Sequence, residues 1–254
     1  MKQFLLILIV LQIGCKDEKS FADDIVLSFP KDEKMSIEEF NSDSLDFGSN
    51  LIYKGFSKDT IQVKYYQDIN WIPAPPAVGE KEQSSFILDQ SLLPYFHRQP
   101  FQGISSENVK ITDDLNSENI EIIVKEKDTI PLSKLRNDKV VSFKSYPVFI
   151  KNISAKPLKI NTDYLAYFSP FVKNKNDKWQ KALNTRYVVN ECIPPAYPTF
   201  FILEPKELFI MAIPYFAGKE KKEFKIKIDS ATSKIYKSSI TEYIINTQRR
   251  EIFE

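Results

Sequence analysis

Two thiols, one imidazole and many carboxylates are the chemically competent side chains of this chain, and their spacing decides what they can do. Cys15 stands near the N-terminus, Cys192 lies far downstream, and His97 is the single histidine. A reactive thiolate needs a neighbouring base, and His97 sits well upstream of Cys192, in Pro94-Tyr95-Phe96-His97-Arg98-Gln99-Pro100. A Ser-His-Asp arrangement would have to use the same imidazole. A structural zinc site cannot be filled from so few His and Cys. Paired carboxylates suit glycoside hydrolysis, but with 34 Asp and Glu no particular pair is singled out. Asp113, Asp114 and Glu118 lack the spaced oxygen ligands and turn glycine of a calcium loop and read as a solvated acidic turn. Six glycines leave little room for a phosphate-cradling loop. The expectation is a protein that is not an enzyme and needs no cofactor or metal.

Cys15 suggests a different chemistry. It follows Lys2, an apolar run over residues 4–11, and the small residue Gly14. One basic residue, a short apolar core and a small residue before the cut is the layout of an export signal. The run is too short to cross a bilayer core of about 30 Å, which takes roughly 20 apolar residues as a helix. A Cys directly after Gly at the cut resembles the lipobox of bacterial lipoproteins, with Gln12 standing where that family usually carries Leu. The tract Lys16-Asp17-Glu18-Lys19-Ser20 looks like the charged run behind the lipidated Cys in surface-exposed lipoproteins of the Bacteroidota. These resemblances imply that the Cys15 thiol is acylated and becomes the new N-terminus. They imply a protein anchored by lipid to the outer membrane and exposed at the cell surface, with the periplasmic face as the alternative. Residues 1–14 are then the signal and 15–23 the tether. Cys192 is left without an intramolecular disulfide partner and reads as a small buried hydrophobe.

Composition agrees with a folded chain: 43% of residues are hydrophobic and 27% charged, so a core is affordable without disulfides. The length suits one large or two ordinary domains. A net charge of +1 gives no reason to expect nucleic acid. Membrane association is expected through lipid rather than a basic surface.

The elements that would position any site are mostly strands. Residues 25–29 read as a short apolar strand ended by Pro30, and Ser36-Ile37-Glu38-Glu39 has the spacing of a helix-capping box. Ile61, Val63 and Tyr65 alternate with polar neighbours, and residues 120–124 are strand-like again. Between them, residues 69–79 carry Trp71, Pro73, Pro75, Pro76 and Gly79, which form a long loop. The polar stretch 131–139 is taken as a boundary, giving an N-terminal β-rich domain over 24–135 and a C-terminal domain over 139–254.

In the second half Tyr146, Val148 and Ile150 alternate, although Pro147 argues for a strand start or an edge. Residues 152–157 supply turn chemistry before a return strand at Leu158 and Ile160. Residues 164–172 read as extended, 173–178 as a hairpin loop, and Trp179 as the start of the next segment. Strands are expected at 187–189 and 199–203. The apolar run 208–213 suits a strand covered on both faces. Phe224, Ile226 and Ile228 alternate with lysines, and 243–245 reads as a last strand. Short strands, frequent turn signals and no sustained helical period predict an all-β fold of antiparallel β-sandwiches.

Trp71, Tyr95, Phe96, Phe101 and Tyr197 lie in or beside proline-rich segments, so a loop patch led by Trp71, Tyr95 and Phe96 is the candidate binding surface for a protein or glycan. The second half also resembles uncharacterised Bacteroidota lipoproteins with an immunoglobulin-like sandwich. The resemblance rests on Val148-Phe149-Ile150-Lys151-Asn152, Trp179, Cys192, Leu203-Glu204-Pro205-Lys206-Glu207-Leu208 and Pro214-Tyr215-Phe216-Ala217-Gly218. It implies an immunoglobulin-like sandwich over the C-terminal domain, in an envelope protein, and no activity; with the N-terminal β-rich domain, two sandwich domains are expected. The expected function is a lipid-anchored, non-enzymatic binding or structural module. The alternative is an immunity or inhibitor lipoprotein that blocks a toxin or protease through a loop at 72–79.

Overall fold

The computed structural model describes residues 19–29, 34–37, 51–63, 114–136, 139–161, 169–182 and 200–247. In chain order the first strands are β1 (Val26–Ser28), β2 (Met35–Ser36), β3 (Leu51–Phe56) and β4 (Thr60–Gln62). Next come β5 (Ile120–Val124), β6 (Ile130–Arg136), β7 (Lys139–Asn152) and β8 (Leu158–Asn161). The third group is β9 (Phe171–Lys173), β10 (Trp179–Lys181), β11 (Phe200–Leu203) and β12 (Glu207–Pro214). The chain closes with β13 (Glu220–Lys225), β14 (Lys227–Ile228), β15 (Ala231–Thr232), β16 (Tyr236–Ile240) and the helix α1 (Glu242–Thr247). Strands dominate and the fold is all-β.

The 14-residue β7 is the spine of a six-stranded sheet. Along one edge it pairs antiparallel first with β5 and then with β6. Its other edge takes β12, which in turn pairs with β3, and beyond the end of β12 it takes the two residues of β2. Strands from both sides of the stretch 131–139 therefore share hydrogen bonds. That stretch, read above as a boundary, is mostly β6, whose last residue Arg136 pairs with Lys139, the first of β7.

Pro147 lies inside this central strand, not at its start or at a sheet edge. Its carbonyl accepts a hydrogen bond from the Lys125 N–H at 3.1 Å, just where β5 ends and before β6 begins. A residue's N–H and C=O point the same way in an antiparallel strand. The missing donor of Pro147 thus faces Lys125 at the break between β5 and β6, and the Lys125 carbonyl instead accepts the Asp128 N–H at 3.1 Å.

Alternation along β7 and β12 sends side chains to two different interiors. Tyr146, Val148 and Ile150, with Phe209 and Met211, face a core closed by β8, β9, β11, β13 and β16. Phe149, Leu208, Ile210 and Ala212 face a second core closed by Ala22, Ile25 and Ile61. The central sheet is thus the middle of three layers. This is why every residue of β12 is buried, as its unbroken apolar run predicts. The outer layer on one side is residues 21–29 with the parallel pair β1–β4. On the other side it is the sheet ordered β10-β9-β13-β16, beside the pair β8–β11.

One local reading differs from expectation. Residues 243–245 belong to α1, because the Thr241 hydroxyl accepts the Ile244 N–H at 3.3 Å as an N-cap and Glu242 occupies the first turn. Adjacent Ile244 and Ile245 are both buried, and a six-residue helix offers too few turns to show its period. Ser36 ends β2, and its hydroxyl donates to the Ser142 carbonyl of β7 at 3.4 Å, while Glu38 and Glu39 of the capping-box stretch lie outside the described residues.

Candidate functional site

Cys15, Trp71, Tyr95 and Phe96 lie outside the described residues, as do His97, Cys192 and the loop at 72–79. Of the acidic turn, Asp114 and Glu118 are described. The turn is held by amides: Asn119 Oδ1 accepts the Asn116 N–H at 2.9 Å, and Asn116 Oδ1 accepts the Glu118 N–H at 2.8 Å. Among the described residues no group of three His, Cys, Asp or Glu side chains is placed to hold a metal ion.

The most perturbed ionisable groups are sealed in the interior. Tyr146 of β7 and Tyr236 of β16 meet hydroxyl to hydroxyl at 2.8 Å, with rings in edge contact. Burial pushes both phenols well above their ordinary value. Tyr215, raised more modestly by burial, packs on Tyr146 with ring centroids 5.1 Å apart and donates to the Glu126 carbonyl. These phenols join the two sheets through the core.

A buried ion pair closes the edge of the central sheet. Lys54 Nζ of β3 donates to Glu207 Oε2 of β12 at 2.9 Å, with side-chain exposures of 2% and 10%. The same oxygen accepts the Glu204 N–H at 2.8 Å, and the ammonium lies 5.7 Å from the centre of the Phe201 ring. Several partners stabilise each charge, as burial of a pair requires.

The outward face of the four-stranded sheet is built differently. Val172, Phe224, Tyr236 and Ile240 point into the core, so their strand neighbours must point out. Cross-strand register then sets two rows. Trp179 pairs with Lys173, and Lys173 Nζ reaches Glu223, which pairs with Lys237. Lys181 pairs with Phe171, which pairs with Lys225. Lys221, opposite Ser239, extends the face. Lys225 Nζ sits 4.3 Å from the centre of the Trp179 ring, a cation–π contact across β9.

Charge on this face is one-sided. Glu223 and Asp177 both lie on Lys173, at 3.5 and 3.3 Å. Asp177 first and Glu223 second hold the Lys173 ammonium above its ordinary range. Lys225 goes the other way: partial burial, then its like-charged neighbour Lys227, lowers it. Among the described residues no carboxylate forms an ion pair with Lys181, Lys221, Lys225 or Lys237. Such an array offers ammonium donors spread over the outward surface and held by paired strands. Sequence reading marked Trp179 as the start of a segment and as one residue of the family resemblance, not as part of a surface. The lysines of β13 were visible as alternation, but their meeting with Lys181 and Lys237 depends on register.

Among the described residues no helix is long and apolar enough to cross a membrane, a statement that does not extend to β-barrels. No known family model, curated protein or solved structure matches the chain.

Proposed function

We propose that the protein is a lipid-anchored envelope protein of Bacteroidota type, acting as a non-enzymatic binding or structural module at the cell surface. The observation that carries this reading is Cys15 at the end of a short apolar run, close before a packed layer. Four residue steps from Cys15 to Lys19 reach at most about 14 Å. Ala22 and Ile25, soon after, are already buried against the central sheet. Lipid on Cys15 would hold this β framework near the bilayer. The proposed fold type is an immunoglobulin-like sandwich, supported by two sheets packed face to face through alternating side chains. The layer of β1, β4 and residues 21–29 is added on the second face of the central sheet. Trp71, Tyr95 and Phe96 remain the proposed aromatic loop patch for a protein or glycan.

The test is protease treatment of intact cells making wild type or Cys15→Ala, followed by fractionation. The proposal expects digestion of a membrane-bound wild type and release of the variant from the membrane. A wild type protected in intact cells would move the protein to the periplasmic face. A variant that fractionates like wild type would remove the lipid anchor from the account.

A further inference from the structure

We propose that the outward face of the β10-β9-β13-β16 sheet docks an anionic polysaccharide, through Lys181, Lys221, Lys225 and Lys237 around Trp179. This rests on the reading of the protein as an anchored binding module and names the ligand class and the surface. The first argument is position. Residues 21–29, which follow Cys15 most closely, cover one face of the central sheet, and the lysine face belongs to the layer on the opposite side. An anchor at Cys15 would leave that face turned away from the layer nearest the lipid.

The second argument is charge. The chain as a whole is almost neutral at +1, yet this face gathers five lysines against Glu223 and Asp177, and both acids are engaged by Lys173. The remaining ammoniums stand on strands spaced about 4.8 Å apart and on alternate residues about 6.8 Å apart. Each one, half-exposed or exposed, is worth little to a single counter-ion. A polymer that repeats carboxylates or sulfates along its length engages several at once, and the linked contacts reinforce one another.

The third argument separates a polysaccharide from an acidic peptide. An extended peptide gains affinity from main-chain bonds to a free strand edge. Here β9 and β13 are paired on both sides, and the outer edges of β10 and β16 lie in the plane of the sheet, so the outward face itself offers side chains and no backbone. The lysine stems and the Trp179 ring supply apolar patches between the ammoniums. Sugar rings, with C–H faces and anionic substituents, complement that mixture. Lysines act as separate point charges, which suits a polymer whose charges are not arranged as one planar fork.

The experiment uses the full chain, solubilised in detergent, on columns of immobilised polygalacturonate, polyglutamate and neutral dextran. The variants are Lys181→Glu/Lys225→Glu/Lys237→Glu and, on turns away from this face, Lys127→Glu/Lys156→Glu. Far-ultraviolet circular dichroism and a thermal melt confirm folding of each variant, and Trp179→Ala supplies a second probe that changes no charge. The proposal expects wild-type retention on polygalacturonate that is lost on raising the salt. It expects affinity at least roughly tenfold lower for the triple variant, since several small charge terms are reversed together. The double variant should bind like wild type, and dextran should retain none. Absence of retention, equal retention of all variants, or retention by polyglutamate in place of polygalacturonate would overturn it. Because binding is read in detergent, failure here is separate from failure of lipid anchoring, which cell fractionation reads.

Discussion

The phenol of Tyr146 in the central sheet and that of Tyr236 in the four-stranded sheet hydrogen-bond at 2.8 Å inside the core. Both are pushed up from an ordinary 10.0, first by burial, so the folded chain holds these protons more tightly than the unfolded chain. The stability they contribute is complete below pH about 10 and is lost as pH rises from there toward the folded values. Tyrosinate absorbance should therefore report two phenols that ionise only with unfolding. Tyr146→Phe leaves the Tyr236 hydroxyl buried without this partner and should cost about 1–3 kcal/mol in urea melts. Tyr146→Phe/Tyr236→Phe should recover part of that cost and raise the pH of alkaline unfolding. Early titration of both phenols in the folded protein would contradict the burial argument.

Lys54→Met should destabilise the fold by about 3–5 kcal/mol, because it leaves the Glu207 carboxylate buried without its ammonium. Adding Glu207→Gln keeps an acceptor for the Glu204 N–H and removes the stranded charge. The double variant should recover at least half of the loss by equilibrium urea unfolding. If single and double variants are equally unstable, the cost arises from packing and not from charge.

Asn152, fully buried at the end of β7, organises the turn into β8. Its Oδ1 accepts the Ser154 N–H and hydroxyl, and its Nδ2 donates to the carbonyls of Lys156 and Leu203. Asn152→Ala should cost about 1–3 kcal/mol. Asn152→Asp should cost more at neutral pH, since the ionised carboxylate would face two carbonyl oxygens, and less in acid, where it is protonated. Thermal melts at both pH values read the difference. A pH-independent deficit would contradict the assignment of the amide.

Asp23 fastens residues 21–29 through Lys125, at 3.0 Å, and through the Ser20 N–H, at 2.7 Å. The Lys125 contact first, and the Ser20 amide next, hold its carboxyl below the ordinary 3.8. A lowered folded pKa stabilises above the unfolded value and fades as pH falls through the folded one. The stability gap between wild type and Lys125→Gln should be steady above that ordinary value and close in more acidic solution. The hydrogen-exchange protection factor at Ile25, corrected for the intrinsic pH dependence of amide exchange, should fall over the same acid range. A gap that widens with falling pH would contradict the sign.

Much of the strand content was legible because alternation survives wherever one face is buried. Phe224 with Ile226, and Tyr146 with Val148 and Ile150, carry it plainly, and the unbroken run around Ile210 announced a strand with two covered faces. Partner choice was not legible. Phe209 pairs with Lys54 and Met35 with Ser142, and no local pattern encodes contacts at such separations. The stretch ending in Arg136 and Lys139 looks like a linker in sequence because its residues are mostly polar, and their pairing across β6 and β7 has no local signal. Pro147 read as marking a strand start or an edge, since the gap it faces exists only once β5 and β6 lie beside β7. The lysine face stayed hidden for the same reason. Its members come from four strands, and only register brings Lys225 onto Trp179.

The anchor is the premise on which the functional account stands, and intact-mass analysis of the protein purified from its membrane tests it most directly. The account predicts a polypeptide that lacks residues 1–14, begins at Cys15 and carries the added mass of acyl chains on that residue. A chain that retains residues 1–14, or begins elsewhere with an unmodified Cys15 thiol, would contradict it.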